Sequence, residues 1–340
     1  MTKTVIIAEA GVNHNGDIKI AKKLIEKASE TGADYIKFQT FRAEKLVSTE
    51  AKKAEYQQRN EAGNSDKQFE MLKNLELSEK DHFELKKYAE LKKIKFLSSG
   101  FDEESIDFLD VLGVDLFKVP SGEITNKPYL QHIASKHRPI ILSTGMATVN
   151  EIEDALNVFY AEGIDKKSII VLHCNTEYPT PMEDVNLKAM SAIQEAFDIN
   201  IGYSDHTLGI EVSISAVTLG ARVIEKHFTL DRTMPGPDHR ASLEPEEFRH
   251  MVKAIRNIEN ALGGDGLKHP SKSEIKNLNI VRKSIHVNNF LNIGHVIQNE
   301  DLIMLRPGDG ISPMDIEKVI GKKVIKQINP GTQLDWTYFK

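Results

Sequence analysis

Two short segments carry imidazoles that could share one ion. In Gly202-Tyr203-Ser204-Asp205-His206 and Glu225-Lys226-His227-Phe228 a histidine follows a hydroxyl or a carboxylate by two residues, at the end of an apolar run. Side chains of a strand alternate faces, so Ser204 and His206 share one face, as do Glu225 and His227. On neighbouring parallel strands the two rings converge at one mouth. A lone strand histidine is ordinarily a hydrogen-bonded core residue, but two of matching parity suit zinc, manganese or iron. Only two protein ligands are nameable, which describes an open site completed by substrate rather than a closed structural one.

Lys37 and Lys118 interrupt apolar runs, Tyr-Ile-Lys-Phe and Leu-Phe-Lys-Val. An unpaired ammonium buried there would be costly. Either each lysine pairs with Glu9 or Glu225 inside the fold, or the two hold a phosphate or carboxylate. Serines and threonines cluster at nearby run ends (Ser98, Ser99, Ser121, Ser143, Thr144, Thr176, Ser204), which favours anion binding. Cys174 has an apolar flank and reads as a small core residue. Asn13-His14-Asn15-Gly16 fits a strand-to-helix turn as well as a site loop.

The elements that would position these groups alternate strictly. Apolar strand-like runs lie at 5–9, 35–39, 95–99, 116–120, 139–144, 168–175, 200–204 and 222–228, separated by amphipathic helical patterns. Eight βα units require parallel strands with helical crossovers and predict a closed (β/α)8 TIM barrel, whose chemistry sits at the C-terminal strand ends. No Gly-x-Gly-x-x-Gly turn follows the first run, which disfavours an open dinucleotide-binding sheet. The barrel is expected over residues 1–265. A polar, lysine-rich linker over 266–281 leads to a small β-rich domain over 282–340, near the lower size for folding alone. The insertion at 41–77 after the second strand reads as a solvated surface excursion, with a lid over the mouth as the alternative.

The 340 residues carry a formal charge of −6, 40% hydrophobic and 28% charged residues. No global basic field attracts nucleic acid, and no apolar stretch is long enough for a bilayer. One cysteine excludes an intramolecular disulfide and, with no signal peptide evident, a cytoplasmic setting is expected.

Ile7-Ala-Glu-Ala-Gly-Val-Asn-His-Asn-Gly16, Lys37-Phe-Gln-Thr40, Phe117-Lys-Val-Pro-Ser-Gly-Glu123, Leu142-Ser-Thr-Gly-Met146, His173-Cys-Asn-Thr-Glu-Tyr-Pro-Thr-Pro181, Gly236-Pro-Asp-His239 and Arg306-Pro-Gly-Asp-Gly310, together with the two histidine segments, occur in the order of the sialic acid synthase family. The chain resembles that family over its whole length, and residues 282–340 resemble its antifreeze-protein-like (β-clip) domain. The resemblance implies condensation of phosphoenolpyruvate with an N-acylated mannosamine-type sugar and water. It implies Mn2+ or Mg2+ on His206 and His227, and phosphoenolpyruvate on Lys37, Lys118, Ser121, Ser143, Asn175, Thr176 and Ser204. Gln39, Tyr178, Asp238 and Arg306 would face the sugar, and Glu9, Glu123 and Glu225 the reacting centre. It also implies a domain-swapped homodimer in which Arg306 reaches the partner's site. Ser98-Ser99-Gly100-Phe101 departs from the family's Ser-Thr-Pro-Phe, so Ser99 is not counted among the ligands. N-acetylmannosamine, giving N-acetylneuraminate, is the first expectation for the acceptor. The alternative is 2,4-diacetamido-2,4,6-trideoxymannose, giving N,N'-diacetyllegionaminate. A Schiff-base aldolase using Lys37 or Lys118 is the remoter reading.

Overall fold

The structure is a computed structural model describing residues 3–48, 50–60 and 67–340. It divides into two compact units, Met1–Gly263 and Gly264–Lys340. In the first, eight parallel strands form one sheet: β1 (Val5–Gly11), β2 (Tyr35–Thr40), β3 (Lys95–Gly100), β4 (Phe117–Val119), β5 (Ile140–Ser143), β6 (Ile169–Cys174), β7 (Asn200–Asp205) and β8 (Val223–His227). The order β3-β2-β1-β8-β7-β6-β5-β4 joins the first and last strands, as a barrel requires. The remaining seam, β3 beside β4, is packed without a hydrogen-bonded ladder.

A helix follows every strand, and local chemistry marks the helix ends. Ser78 and Thr148 form capping boxes with Asp81 and Glu151, Asp17 and Asp102 cap through their carboxylates, and Gly32 and Gly113 end helices at positive φ. The outward strand residues, among them Ile6, Ile36, Phe96, Phe117, Leu142, Ile201 and Ile224, pack with these helices into the main core.

Inside the barrel the side chains are layered. Ile7, Tyr35, Leu97, Ile141, Leu172 and Val223 make an apolar plug. Two residues further along each strand, on the same face, stand Glu9, Lys37, Ser99, Ser143, Cys174 and Glu225, joined by Lys118 and Ser204 from β4 and β7. The plug is tight at Gly202, where a Cβ would lie 2.5 Å from both Leu172 Cδ2 and the Val223 carbonyl oxygen.

The insertion differs from a solvated excursion. Its helices include Ala43–Leu46 and Gln68–Leu75, and Met71, Leu72 and Leu75 bury against Val12 and Phe41 at the barrel mouth. Six residues of polar sequence at 61–66 and residue 49 lie outside the described residues. The charged composition hid the short apolar stripe that docks.

In the second unit, β9 (Ser284–Val287) pairs antiparallel with β10 (Leu302–Leu305). Ile285, Val287, Leu291, Ile297, Ile311, Val324, Ile328 and Leu334 form its own core. Beyond this pair the unit is held by isolated bridge positions, among them Lys323 with Val296 and Val324 with Phe339. The expected linker holds two short helices, Lys272–Ile275 and Leu278–Val281. Among the described residues no helix is long and apolar enough to cross a membrane.

Gly202→Ala is expected to overpack the plug and lower stability by about 1–3 kcal/mol. Urea unfolding should show a lower midpoint at unchanged slope; a wild-type midpoint would mean that the layer yields.

Candidate active site

A cavity of about 440 Å³ opens at the C-terminal ends of the strands. Its floor is the polar layer above the plug, and one wall is the insertion, through Leu46, Val47, Met71, Leu72 and Leu75.

The floor is built around Lys37. Its Nζ lies 3.2 Å from Glu9 Oε2 and 3.1 Å from Glu225 Oε2, and donates to Ser99 Oγ at 3.2 Å. Lys118 Nζ donates to Ser143 Oγ at 2.7 Å and stands 3.6 Å from Glu225 Oε1. Ser204 Oγ donates to the same Glu225 oxygen at 3.0 Å. All four charged groups are at most 4% exposed. The lysines are therefore paired inside the barrel, the first of the two sequence readings, and both also line the cavity.

Sharing one cation between two carboxylates splits their behaviour. Burial, and then the negative charge of Glu225, push Glu9 up to about 8, against the pull of Lys37. Burial also opposes ionisation of Glu225, but Lys118 and Lys37 outweigh it and hold that carboxyl down at about 2. The surroundings thus favour the proton on Glu9 and the charge on Glu225, a division of acid and base set by environment. Burial lowers Lys118, with Glu225 opposing, whereas Glu225 and Glu9 overcome burial at Lys37 and keep it raised. With Glu9 protonated, two lysines face one carboxylate, so the floor favours an anion.

The histidines stand together above this floor. Their ring centroids are 5.4 Å apart, and Tyr178 stacks on His206 at 4.1 Å and meets His227 edge-on at 5.3 Å. His206 Nδ1 is held on the Asn175 carbonyl, which leaves its Nε2 lone pair facing Ser204 Oγ at 3.3 Å. That hydroxyl donates its one hydrogen bond to Glu225 Oε1, which leaves the Nε2 lone pair available. His227 Nδ1 is buried without a hydrogen-bond partner, 3.9 Å from Asp238 Oδ2. Burial holds His206 down at about 4, and burial and then His206 hold His227 well below the usual imidazole range. Two neutral, convergent imidazoles with unclaimed nitrogens fit a divalent cation. Among the described residues no set of three or more His, Cys, Asp or Glu converges on one ion position, so further ligands would come from outside the chain. Burial pushes Asp238 up to about 7, a second carboxyl able to hold a proton here.

Most sequence-selected residues meet in this cavity: Glu9, Lys37, Gln39, Lys118, Ser121, Ser143, Thr176, Tyr178, Ser204, His206, Glu225, His227 and Asp238. Three do not. Glu123 lies beyond the lining on the 3-10 turn after β4, where Asn126 Nδ2 donates to it at 2.6 Å. The Asn175 side-chain oxygen turns back to accept from the Glu177 amide at 2.8 Å while its backbone carbonyl holds His206, and Thr176 lines the cavity. Arg306 is exposed in the second unit. Ser99, set aside in the sequence for its Gly100 neighbour, is a ligand of Lys37; strand parity with Leu97 was the available signal. Cys174, read as core, also lines the cavity, 3.3 Å from Ser121 Oγ. The insertion's apolar wall had no signal beyond its position after β2.

Gly11 carries a further constraint. The β1–β2 register slips between Glu9 and Gly11, and Gly11 sits at φ +50°, where a Cβ would come 3.3 Å from Glu9 Oε1. The bulge and the missing side chain leave Glu9 room to turn inward.

Comparison with known proteins agrees with this architecture. Residues 24–266 match the NeuB family and residues 282–340 the SAF domain. The chain is 54% identical over 326 residues to the N,N'-diacetyllegionaminic acid synthase of Campylobacter jejuni, covering 96% of this chain and 97% of that one. It is 50% identical to the enzyme of the same name from Legionella pneumophila, covering 98% and 94%. Among solved structures, the N-acetylneuraminic acid (sialic acid) synthetase of Leptospira borgpetersenii aligns with a TM-score of 0.71 at 34% identity, over 81% of this chain and 90% of that one.

Lys37→Met is expected to cost about 3–5 kcal/mol at neutral pH, because two buried carboxyls lose their shared cation. The depressed Glu225 contributes stability above its ordinary range that fades as pH falls toward about 2, and the variant lacks that contribution. The gap between the two proteins in chemical denaturation should therefore hold from pH 7.5 to about pH 5 and narrow below that as pH falls toward about 2; a gap independent of pH would contradict the electrostatic account.

Proposed function

The chain belongs to the NeuB family and is an enzyme of the transferase type, and on that premise we propose that it condenses phosphoenolpyruvate with 2,4-diacetamido-2,4,6-trideoxymannose and water. The products are N,N'-diacetyllegionaminate and phosphate. The buried floor carries the reaction class: two lysines shared with one ionised and one protonated glutamate, ringed by hydroxyls. For the acceptor, the proposal departs from the first sequence expectation, N-acetylmannosamine. Relatives at 54% and 50% identity are named legionaminic acid synthases, whereas the sialic acid synthetase stands at 34%.

In this reading Lys37 and Lys118 neutralise the phosphate and carboxylate of phosphoenolpyruvate, and Ser121, Ser143, Thr176 and Ser204 offer hydroxyls to the same oxygens. His206 and His227 would hold Mn2+ or Mg2+, whose contribution is Lewis-acid polarisation of the acceptor carbonyl. C3 of the enol bonds to C1 of the open-chain sugar, whose carbonyl oxygen becomes a hydroxyl and needs one proton. Glu9 holds that proton at neutral pH and is the candidate acid. Positive charge develops at C2, where ionised Glu225 stabilises it until water adds; as the C2–O bond to phosphate breaks and the C2 carbonyl forms, one of the water's protons restores Glu9 and the other leaves with the phosphate. Tyr178 packs against both imidazoles and helps fix their orientation.

Phosphate release from phosphoenolpyruvate with Mn2+ should favour the trideoxy sugar over N-acetylmannosamine by about tenfold or more in kcat/KM. The reverse order would make this an N-acetylneuraminate synthase. Glu9→Gln should lower kcat by about 10²–10⁴ with phosphoenolpyruvate affinity little changed; near-normal kcat would remove Glu9 from the proton transfer.

A further inference from the structure

One pair of buried charges faces away from the cavity and takes no part in the chemistry above. Asp205 and Lys226 are both fully buried, with Lys226 Nζ 2.9 Å from Asp205 Oδ2. They are register partners across β7 and β8. Each stands between two cavity-facing residues of its strand: Asp205 between Ser204 and His206, Lys226 between Glu225 and His227. The pair is thus the outward counterpart of the two imidazoles.

Its hydrogen bonds converge on Thr207, the residue after His206. Lys226 Nζ donates to the Thr207 carbonyl at 2.6 Å. Asp205 Oδ1 accepts from the Thr207 amide at 2.9 Å and from its hydroxyl at 2.7 Å. Ser213 Oγ, on the following helix, donates to Asp205 Oδ2 at 2.6 Å. Stability alone does not explain such a group, since apolar residues of similar volume commonly replace a buried ion pair without loss. What apolar residues lack is the grip on both backbone groups of Thr207, supplied from β8 as well as β7.

We propose that Asp205 and Lys226 are positioning residues for the two-histidine site. They tie the end of β7 to the end of β8, so that His206 and His227 keep the separation one divalent cation requires. This rests on the metal reading of the site given above.

The test replaces the pair by apolar residues, Asp205→Leu with Lys226→Met, and adds Thr207→Val, which removes one hydroxyl and leaves the pair in place. Free Mn2+ is titrated by electron paramagnetic resonance, and phosphoenolpyruvate affinity is measured by calorimetry without metal. The double variant should keep its far-ultraviolet circular dichroism and bind Mn2+ about 10- to 100-fold more weakly, with phosphoenolpyruvate affinity unchanged. Thr207→Val should weaken Mn2+ in the same direction by less, and it carries the test if the double variant does not fold. Wild-type Mn2+ affinity in the folded variants would overturn the proposal, as would an equal loss of Mn2+ and phosphoenolpyruvate affinity. Wild-type protein that binds no Mn2+ would instead remove the metal reading and this inference with it, while leaving the anion floor standing.

Discussion

The structure depends on one shared cation. Lys37 sits inside the barrel between Glu9 and Glu225, and a charge removed from water there costs several kcal/mol unless partners compensate it. Two carboxyls around one lysine cannot be equivalent, and the second lysine, Lys118, stands nearer Glu225. The asymmetry favours the charge on Glu225 and the proton on Glu9. A single geometric fact thereby sets both the field that draws an anion and the group that can donate a proton.

The barrel makes that arrangement tolerable. Below the charges, Ile7, Tyr35, Leu97, Ile141, Leu172 and Val223 seal the interior against water from the far end. In the same layer as the charges, the strands supply Ser99, Ser143 and Ser204, which take or give hydrogen bonds that the ion pairs leave open. The outward faces serve the scaffold instead. Alternate residues pack the helices, and at β7 and β8 the Asp205–Lys226 pair replaces apolar packing by hydrogen bonds. Period-two alternation separates chemistry from support on the same strand.

The barrel was legible because it is written in local periodicity. Eight apolar runs separated by helical patterns left one economical topology, and the strands fall within a residue or two of those runs. Lys37 and Lys118 stood out because a charge inside a buried run demands a partner or a ligand. Glu123 and Asn175 show the limit. Each lies just past a strand end, where the backbone has left the alternating pattern and a local turn claims the side chain. Ser99 shows the converse, a residue whose parity was sound although its neighbour Gly100 argued for looseness. The insertion's charge concealed its docking, since a few apolar residues in a polar stretch suffice to seat a short helix.

By itself, then, the sequence determined which elements form, which face of each strand turns inward, and which ionisable residues must find partners within the barrel. Those are consequences of backbone geometry and of the cost of burying charge, and both act within a few residues. Tertiary structure decided the pairing: that Glu9 and Glu225, more than two hundred residues apart, share Lys37, that Asn175 serves through its carbonyl, and that an apolar wall closes over the mouth. The proton states follow from the same closure, because a carboxyl's preference depends on how deeply it is buried and which charges stand beside it, and neither exists until the barrel has formed.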